Sequence, residues 1–241
     1  MKIIEKIIKK QTERASAESI TIVCFGDSVT EGCFECYING QGRIATVYER
    51  ESSYSTRLQS LLAKLYPTVQ FNVINSGLSG ASLWNIDGLI DRDVLAFKPD
   101  LVVVSYGLND SQKGLEGIAE YEMRLSKLFE KIKAIGAEIL FLTENYMCTD
   151  VSPHLSEDKL KDLAKELCER QNTGVMDAYF NKAKEICVRY GVDICDLYPV
   201  WKAMSQSGVN VTELLSNKLN HPIREYHYYI AIKLLEKILG V

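Results

Sequence analysis

The chain has 241 residues, 46% hydrophobic and 25% charged, enough for one substantial core in an ordinary globular protein. Its 28 basic and 32 acidic residues leave a net charge of -4 without a dense basic stripe, so the composition argues against nucleic acid as a partner. No stretch reaches the roughly 18 apolar residues a membrane span needs, and the seven cysteines, an odd number with Cys24, Cys168, Cys187 and Cys195 in strand or helix patterns, read as reduced residues of a cytoplasmic protein.

In chain order, the segment from Met1 to Lys10 breaks its isoleucines with charges every two or three positions. That pattern predicts an amphipathic helix within residues 1–16, packed on the rest of the chain, and lacks the uninterrupted apolar core of a signal peptide. Five β-rich runs follow: Ser19 to Phe25, Val69 to Asn75, Asp100 to Tyr106, Glu138 to Thr143 and Val192 to Asp196. They alternate with helical periodicity over Ser53 to Leu65, Trp84 to Ala96, Ile118 to Ile135, Val175 to Tyr190 and Arg224 to Leu239. Cys33 to Arg50 and Asn145 to Ser156 read as irregular stretches that shape a pocket. No repeat or linker divides the chain, so residues 1–241 are read as a single domain.

Strand and helix alternation implies an α/β fold with a parallel sheet covered on both faces, which also explains the nearly continuous apolar runs. The expected architecture is a flavodoxin-like three-layer sandwich with a five-stranded parallel sheet in the order 2-1-3-4-5. In that order the first strand lies between the second and third, and ligands bind at the carboxyl ends beside this switch point. Gly26-Asp27-Ser28 ends the first run, Asn75-Ser-Gly77-Leu-Ser-Gly80 ends the second, and Gly107-Leu-Asn109-Asp110 follows the third. Residues some fifty and eighty positions apart therefore converge on one crevice.

Rival motifs fail on spacing. Gly26-Asp-Ser28-Val-Thr30 lacks the second glycine of a nucleophile elbow, Gly26 and Gly32 do not make a phosphate-binding loop, and Gly40-x-Gly42-x-x-Ala45 follows no predicted strand. Cys33-Phe-Glu-Cys36 has redox-like spacing but no second pair or nearby histidine to make a zinc site.

The three glycine-containing blocks, with Asn220-His221-Pro222 before the last helix, resemble the SGNH or GDSL hydrolase family from about Thr21 to the carboxyl end. The resemblance implies that Ser28 is the nucleophile and His221 the base, and that the N–H groups of Ser28 and Gly77 with the amide of Asn109 hold the oxyanion. A serine hydroxyl needs such a base, and the tetrahedral intermediate needs such donors. Asp27 reads as a loop and helix-capping residue, His227 as a packing residue and His154 as a pocket residue.

One position departs from the family pattern. Three residues before His221, where the family carries its aspartate, stands Lys218, which cannot accept the imidazole Nδ1–H. Either the acid is displaced, with Asp196 and Glu213 as candidates, or a backbone carbonyl or Asn217 orients the ring in a Ser-His dyad. The resemblance implies a serine esterase forming an acyl-enzyme without metal or organic cofactor, on a short-chain ester. Thirteen tyrosines and the polar Asn39, Gln41, Asn145 and Asp150 lean toward a sugar-like substrate such as a carbohydrate O-acetyl ester. The alternative is a catalytically weak protein that binds a glycan or lipid in the same crevice. Oligomeric state leaves no trace in the sequence.

Overall fold

The five apolar runs form one parallel sheet. In the computed structural model, which describes residues 1–241, the strands in chain order are β1 (Ile20–Gly26), β2 (Cys33–Ile38), β3 (Ile44–Tyr48), β4 (Phe71–Gly77), β5 (Leu101–Ser105), β6 (Glu138–Leu142) and β7 (Asp193–Cys195). The sheet runs β4-β1-β5-β6-β7, which is 2-1-3-4-5 when its own strands are counted. Gly26 lies opposite Gly77 on one side of β1 and Ser105 on the other, so the carboxyl ends of three strands finish level.

The helices are α1 (Ile3–Thr12), α2 (Ser28–Glu31), α3 (Tyr54–Leu65), α4 (Leu89–Asp93), α5 (Ile118–Ala134), α6 (Asp158–Asn172), α7 (Val175–Tyr190), α8 (Tyr198–Gln206) and α9 (Arg224–Leu239). The two-residue period of each strand sorts its side chains between two cores. Leu101 and Val103 join one with Ile3 and Ile7 of α1, Leu58 of α3 and Leu234 of α9. Val102 and Val104 join the other with Leu125 of α5, Leu160 of α6, Phe180 of α7 and Trp201 of α8. Both faces are thus covered, as a parallel sheet requires.

The amino-terminal helix packs through Ile3 and Ile7, both fully buried. Its first N–H groups, which have no intrahelical acceptor, donate to the carboxylate of Glu138 from Lys2 at 2.7 Å and Ile3 at 2.6 Å. Burial of the two isoleucines, about 1.5–3 kcal/mol each, outweighs the exposed Lys6–Asp100 ion pair at 2.5 Å, a type worth roughly 0–1 kcal/mol.

Four segments differ from the sequence expectation. Trp84 to Ala96 is not one helix: Asn85 Oδ1 accepts the Ser82 N–H at 2.9 Å in a local turn, and only α4 and a 3-10 turn at Leu95–Phe97 form after Gly88. Cys33 to Arg50 contains an antiparallel hairpin of β2 and β3, irregular between Cys33 and Cys36 and closed by a turn in which Asn39 Oδ1 accepts the N–H groups of Gln41 at 2.9 Å and Arg43 at 3.0 Å. Helices α6 and α8 are not expected from the sequence and join α3, α5, α7 and α9, which are.

Candidate active site

Strand β1 delivers Ser28 to the first position of α2, a single helical turn. Asp27 is its N-cap and accepts the Val29 N–H at 2.9 Å, offsetting one of the unpaired donors at the helix start. The Ser28 N–H, at the same helix start, has no intrahelical acceptor. The Ser28 hydroxyl lies 3.0 Å from His221 Nε2. Residues 193 positions apart in the chain are therefore in direct contact, and both are buried.

The other ring nitrogen of His221, Nδ1, lies 2.8 Å from the backbone carbonyl oxygen of Phe34 in β2. A carbonyl only accepts, so Nδ1 carries the proton and Nε2 presents its lone pair to Ser28. Burial lowers the His221 pKa to about 4, partly opposed by the Phe34 hydrogen bond and the charge of Glu35. The ring is thus the neutral tautomer that a general base requires.

The backbone of the His221 loop is set by Asn217, whose Oδ1 accepts the N–H groups of Leu219, Asn220 and His221 at 3.0, 2.9 and 2.9 Å. Asn217 orients the loop rather than the ring. Asn145, expected to face a substrate, instead donates to the Asn220 carbonyl at 2.9 Å and holds this loop from below. Lys218 adopts a left-handed conformation with φ 58° and pairs with Glu213 at 2.9 Å.

Neither carboxylate named as a displaced acid meets the ring. Asp196 accepts from the Thr143 hydroxyl at 2.8 Å and pairs with Lys184 at 3.1 Å. Glu213 is held by Lys218 and by the Ser152 hydroxyl at 3.2 Å, and the Lys218 hydrogen bond keeps its pKa below the usual value. His154 is exposed, 4.0 Å from Glu213, and lines a 390 Å³ cavity with Tyr37, Asn217 and Lys218. His227 packs against Phe34 and Tyr54 and accepts the Tyr54 N–H at 3.2 Å through Nδ1.

Asn109 donates both amide hydrogens, to the Ala81 carbonyl at 2.9 Å and to Asp27 Oδ2 at 3.1 Å, which fixes the amide plane beside the Ser28 turn. Gly77 is needed for packing: a Cβ there would lie 2.2 Å from the Glu31 nitrogen and 2.6 Å from the Thr30 carbonyl carbon, backbone atoms that cannot yield. Its N–H is taken by Asn75 Oδ1 at 3.0 Å. Three residues on, Gly80 has φ 76°, room for a Cβ and an N–H without a partner. Glu31 ties this loop to α2, accepting the Ser79 N–H at 2.7 Å and pairing with Arg50 at 3.0 Å.

Three buried carboxyl groups cluster at the turn, Asp27 and Asp110 from the motifs and Glu144 from outside them. Glu144 accepts the Leu108 N–H at 2.9 Å and Asp110 accepts the Leu83 N–H at 2.8 Å. One oxygen of each has no partner. Burial raises Asp27 and Glu144 well above ordinary carboxylates, and raises Asp110 to about 7. Such groups stay protonated longer than their exposed counterparts.

The profile of the GDSL-like lipase/acylhydrolase family matches residues 24–227, which includes every block described above. The chain belongs to that family. An acetylxylan esterase of Geobacillus stearothermophilus is 25% identical over 174 residues, 67% of this chain and 78% of that protein. The acetyl xylan esterase AlAXEase superposes with a TM-score of 0.64 at 19% identity, covering 90% of this chain and 99% of that one. The α/β hydrolase LAE5, from the metagenome of Lake Arreo in Spain, gives a TM-score of 0.66 at 20% identity over 92% and 96% of the two chains. This GDSL-family chain is a carboxylic ester hydrolase. No helix in it is long and apolar enough to cross a membrane.

Proposed function

We propose that the protein is a serine esterase that removes short acyl groups, acetyl foremost, from carbohydrate esters through an acyl-enzyme. The observation that carries this reading is the chain of contacts from Ser28 Oγ to His221 Nε2 at 3.0 Å and from His221 Nδ1 to the Phe34 carbonyl at 2.8 Å. The relatives named for acetylxylan support the acetyl and carbohydrate part.

In this mechanism Ser28 Oγ attacks the ester carbonyl carbon while its proton passes to His221 Nε2. The oxyanion that forms takes hydrogen bonds from the Ser28 N–H, the Asn109 amide and the Gly80 N–H, since the Gly77 N–H expected in this role is already bonded to Asn75 Oδ1 at 3.0 Å. Both Asn109 amide hydrogens are engaged, so the oxyanion replaces one of these bonds, to the Ala81 carbonyl at 2.9 Å or to Asp27 at 3.1 Å. Collapse expels the sugar alkoxide, which takes the proton from His221. Water then attacks the acyl-enzyme, passes a proton to His221, and the second collapse returns that proton to Ser28 and releases the acid.

The reaction is a dyad with a main-chain orienting group. A carbonyl supplies direction to the imidazole but no full negative charge, so it stabilises the transient imidazolium less than an aspartate. The seven free cysteines are consistent with work in a reducing compartment. Hydrolysis of p-nitrophenyl acetate and of acetylated xylo-oligosaccharides by the wild type and by Ser28→Ala tests the assignment. The variant should lose roughly 10³-fold or more in kcat, and a phosphonate should label Ser28 alone. Unchanged turnover, or stoichiometric labelling of another serine, would refute it.

A further inference from the structure

Arg224, the first residue of α9 and three positions beyond His221, reaches back to the hairpin that carries the Phe34 carbonyl. Its Nη1 and Nη2 donate to the two oxygens of Glu35 at 2.7 and 3.0 Å, and its Nε donates to Glu49 Oε2 at 2.7 Å. The guanidinium also lies 4.3 Å from the centroid of the Phe34 ring. Glu35 is the next residue after Phe34, and Glu49 follows β3 with its own N–H on the Gly32 carbonyl at 2.9 Å. One side chain thus contacts the Phe34 ring, Glu35 beside the carbonyl that accepts the His221 hydrogen bond, and Glu49 just after β3.

Only arginine can do this. A forked, planar guanidinium can bind one carboxylate with two parallel hydrogen bonds, bind a second and lie on an aromatic ring together, whereas an ammonium is a point charge. The hydrogen bonds from Arg224 lower the pKa of both Glu35 and Glu49, so the carboxylates stay charged. Its side chain and that of Glu35 are 32% and 44% exposed, so the pair adds little to stability. What it fixes is geometry: its two ends are the segment bearing the imidazole and the strand bearing the acceptor.

We propose that Arg224, clamped by Glu35 and Glu49, is the positioning residue that holds the Phe34 carbonyl on His221 Nδ1, so that a braced main chain takes the place of a triad acid. This rests on the Ser28–His221 reading above. The clamp and that reading are separable by experiment. In the full chain labelled with ¹⁵N-histidine, the Nδ1–H of His221 should give an exchange-protected low-field proton resonance, absent in His221→Gln and retained in Ser28→Ala.

In Arg224→Gln that resonance should move upfield or vanish, and kcat for p-nitrophenyl acetate should fall roughly tenfold to a hundredfold with little change in KM, the scale of a misplaced catalytic group. Arg224→Lys should fall between the two. Circular dichroism checks folding, and if Arg224→Gln does not fold, Glu35→Gln, which keeps the Glu49 contact, is read in the same way. A resonance left in place while melting temperature and kcat both drop would make Arg224 a structural tether and overturn the proposal, as would unchanged kcat in a folded variant. Absence of the resonance in the wild type would instead refute the Phe34–His221 pairing beneath it.

Discussion

His221 Nδ1 lies 2.8 Å from the carbonyl oxygen of Phe34, so the proposed base is oriented by main chain rather than by a carboxylate. Lys218, at the position where the family carries its aspartate, faces Glu213 instead of the ring. Asp196→Asn and Glu213→Gln should each leave kcat within about tenfold, whereas His221→Ala should abolish turnover, since only the base is indispensable to proton transfer. A loss of several orders of magnitude in either carboxylate variant, as when a triad aspartate is neutralised, would show that the loop rearranges to bring an acid to the ring.

The pH profile distinguishes the two kinds of acceptor independently. Burial holds His221 near 4, below its ordinary 6.5, so the neutral base persists as pH falls through 6.5 and is lost only on approaching 4. The acid limb of kcat/KM set by His221 should therefore lie near pH 4 to 5, below any inflection from Asp27 or Asp110. An anionic acceptor would move that limb up by favouring imidazolium. A limb at or above 6.5, measured with an ester of pH-independent intrinsic reactivity, would contradict the carbonyl assignment.

Asn109 should report on transition-state stabilisation. Asn109→Ala should reduce kcat about 10²-fold to 10³-fold with a much smaller change in KM, the loss typical of one oxyanion donor. A raised KM with kcat intact would reassign the amide to substrate binding. Because the same amide also donates to Ala81 and Asp27, thermal melting of the variant should accompany the kinetics.

Asp110 offers a stability test away from the reacting atoms. Burial raises its pKa from 3.8 to about 7, so between those values the folded chain keeps a proton that the unfolded chain releases. That difference costs stability progressively as pH rises through the window, and the cost is complete above about 7. Asp110→Asn removes the titration. Relative to the wild type it should gain a few kcal/mol between pH 4 and 8, read from urea midpoints at each pH. A pH-independent difference between the two proteins would place the buried charge elsewhere, with Asp27 or Glu144.

The parallel sheet is readable because most of its strands are apolar runs and each of the first three meets its turn, Gly-Asp-Ser, Asn-x-Gly or Gly-Leu-Asn, within a few residues. The hairpin is not, because β2 and β3 are short, half exposed and irregular at Cys33 and Cys36, so no clean alternation marks them. Helix α6 buries Leu160, Ala164, Leu167 and Gln171. The glutamine on its inner face, bonded to the Met147 N–H at 3.0 Å and the Tyr198 hydroxyl at 2.8 Å, disguises the stripe. In Trp84 to Ala96 the apolar spacing fits a helix, but Gly88 and the Asn85 turn interrupt it. Within the site, side chains carry a residue-type signature and could be nominated. The Phe34 carbonyl could not, because every residue has one and only the path of the chain decides where it points.

A hydrogen-bond acceptor built from main chain cannot be deleted by changing the side chain that bears it. Replacement of Phe34 alters packing but leaves an oxygen at that peptide, whereas a triad aspartate is lost through a single codon change. The orienting function in this chain is therefore buffered against point mutation at its own position and exposed instead to insertions, deletions or prolines that shift the register of β2 and β3. Drift in this lineage should be tolerated at position 218 and punished in the length of the hairpin.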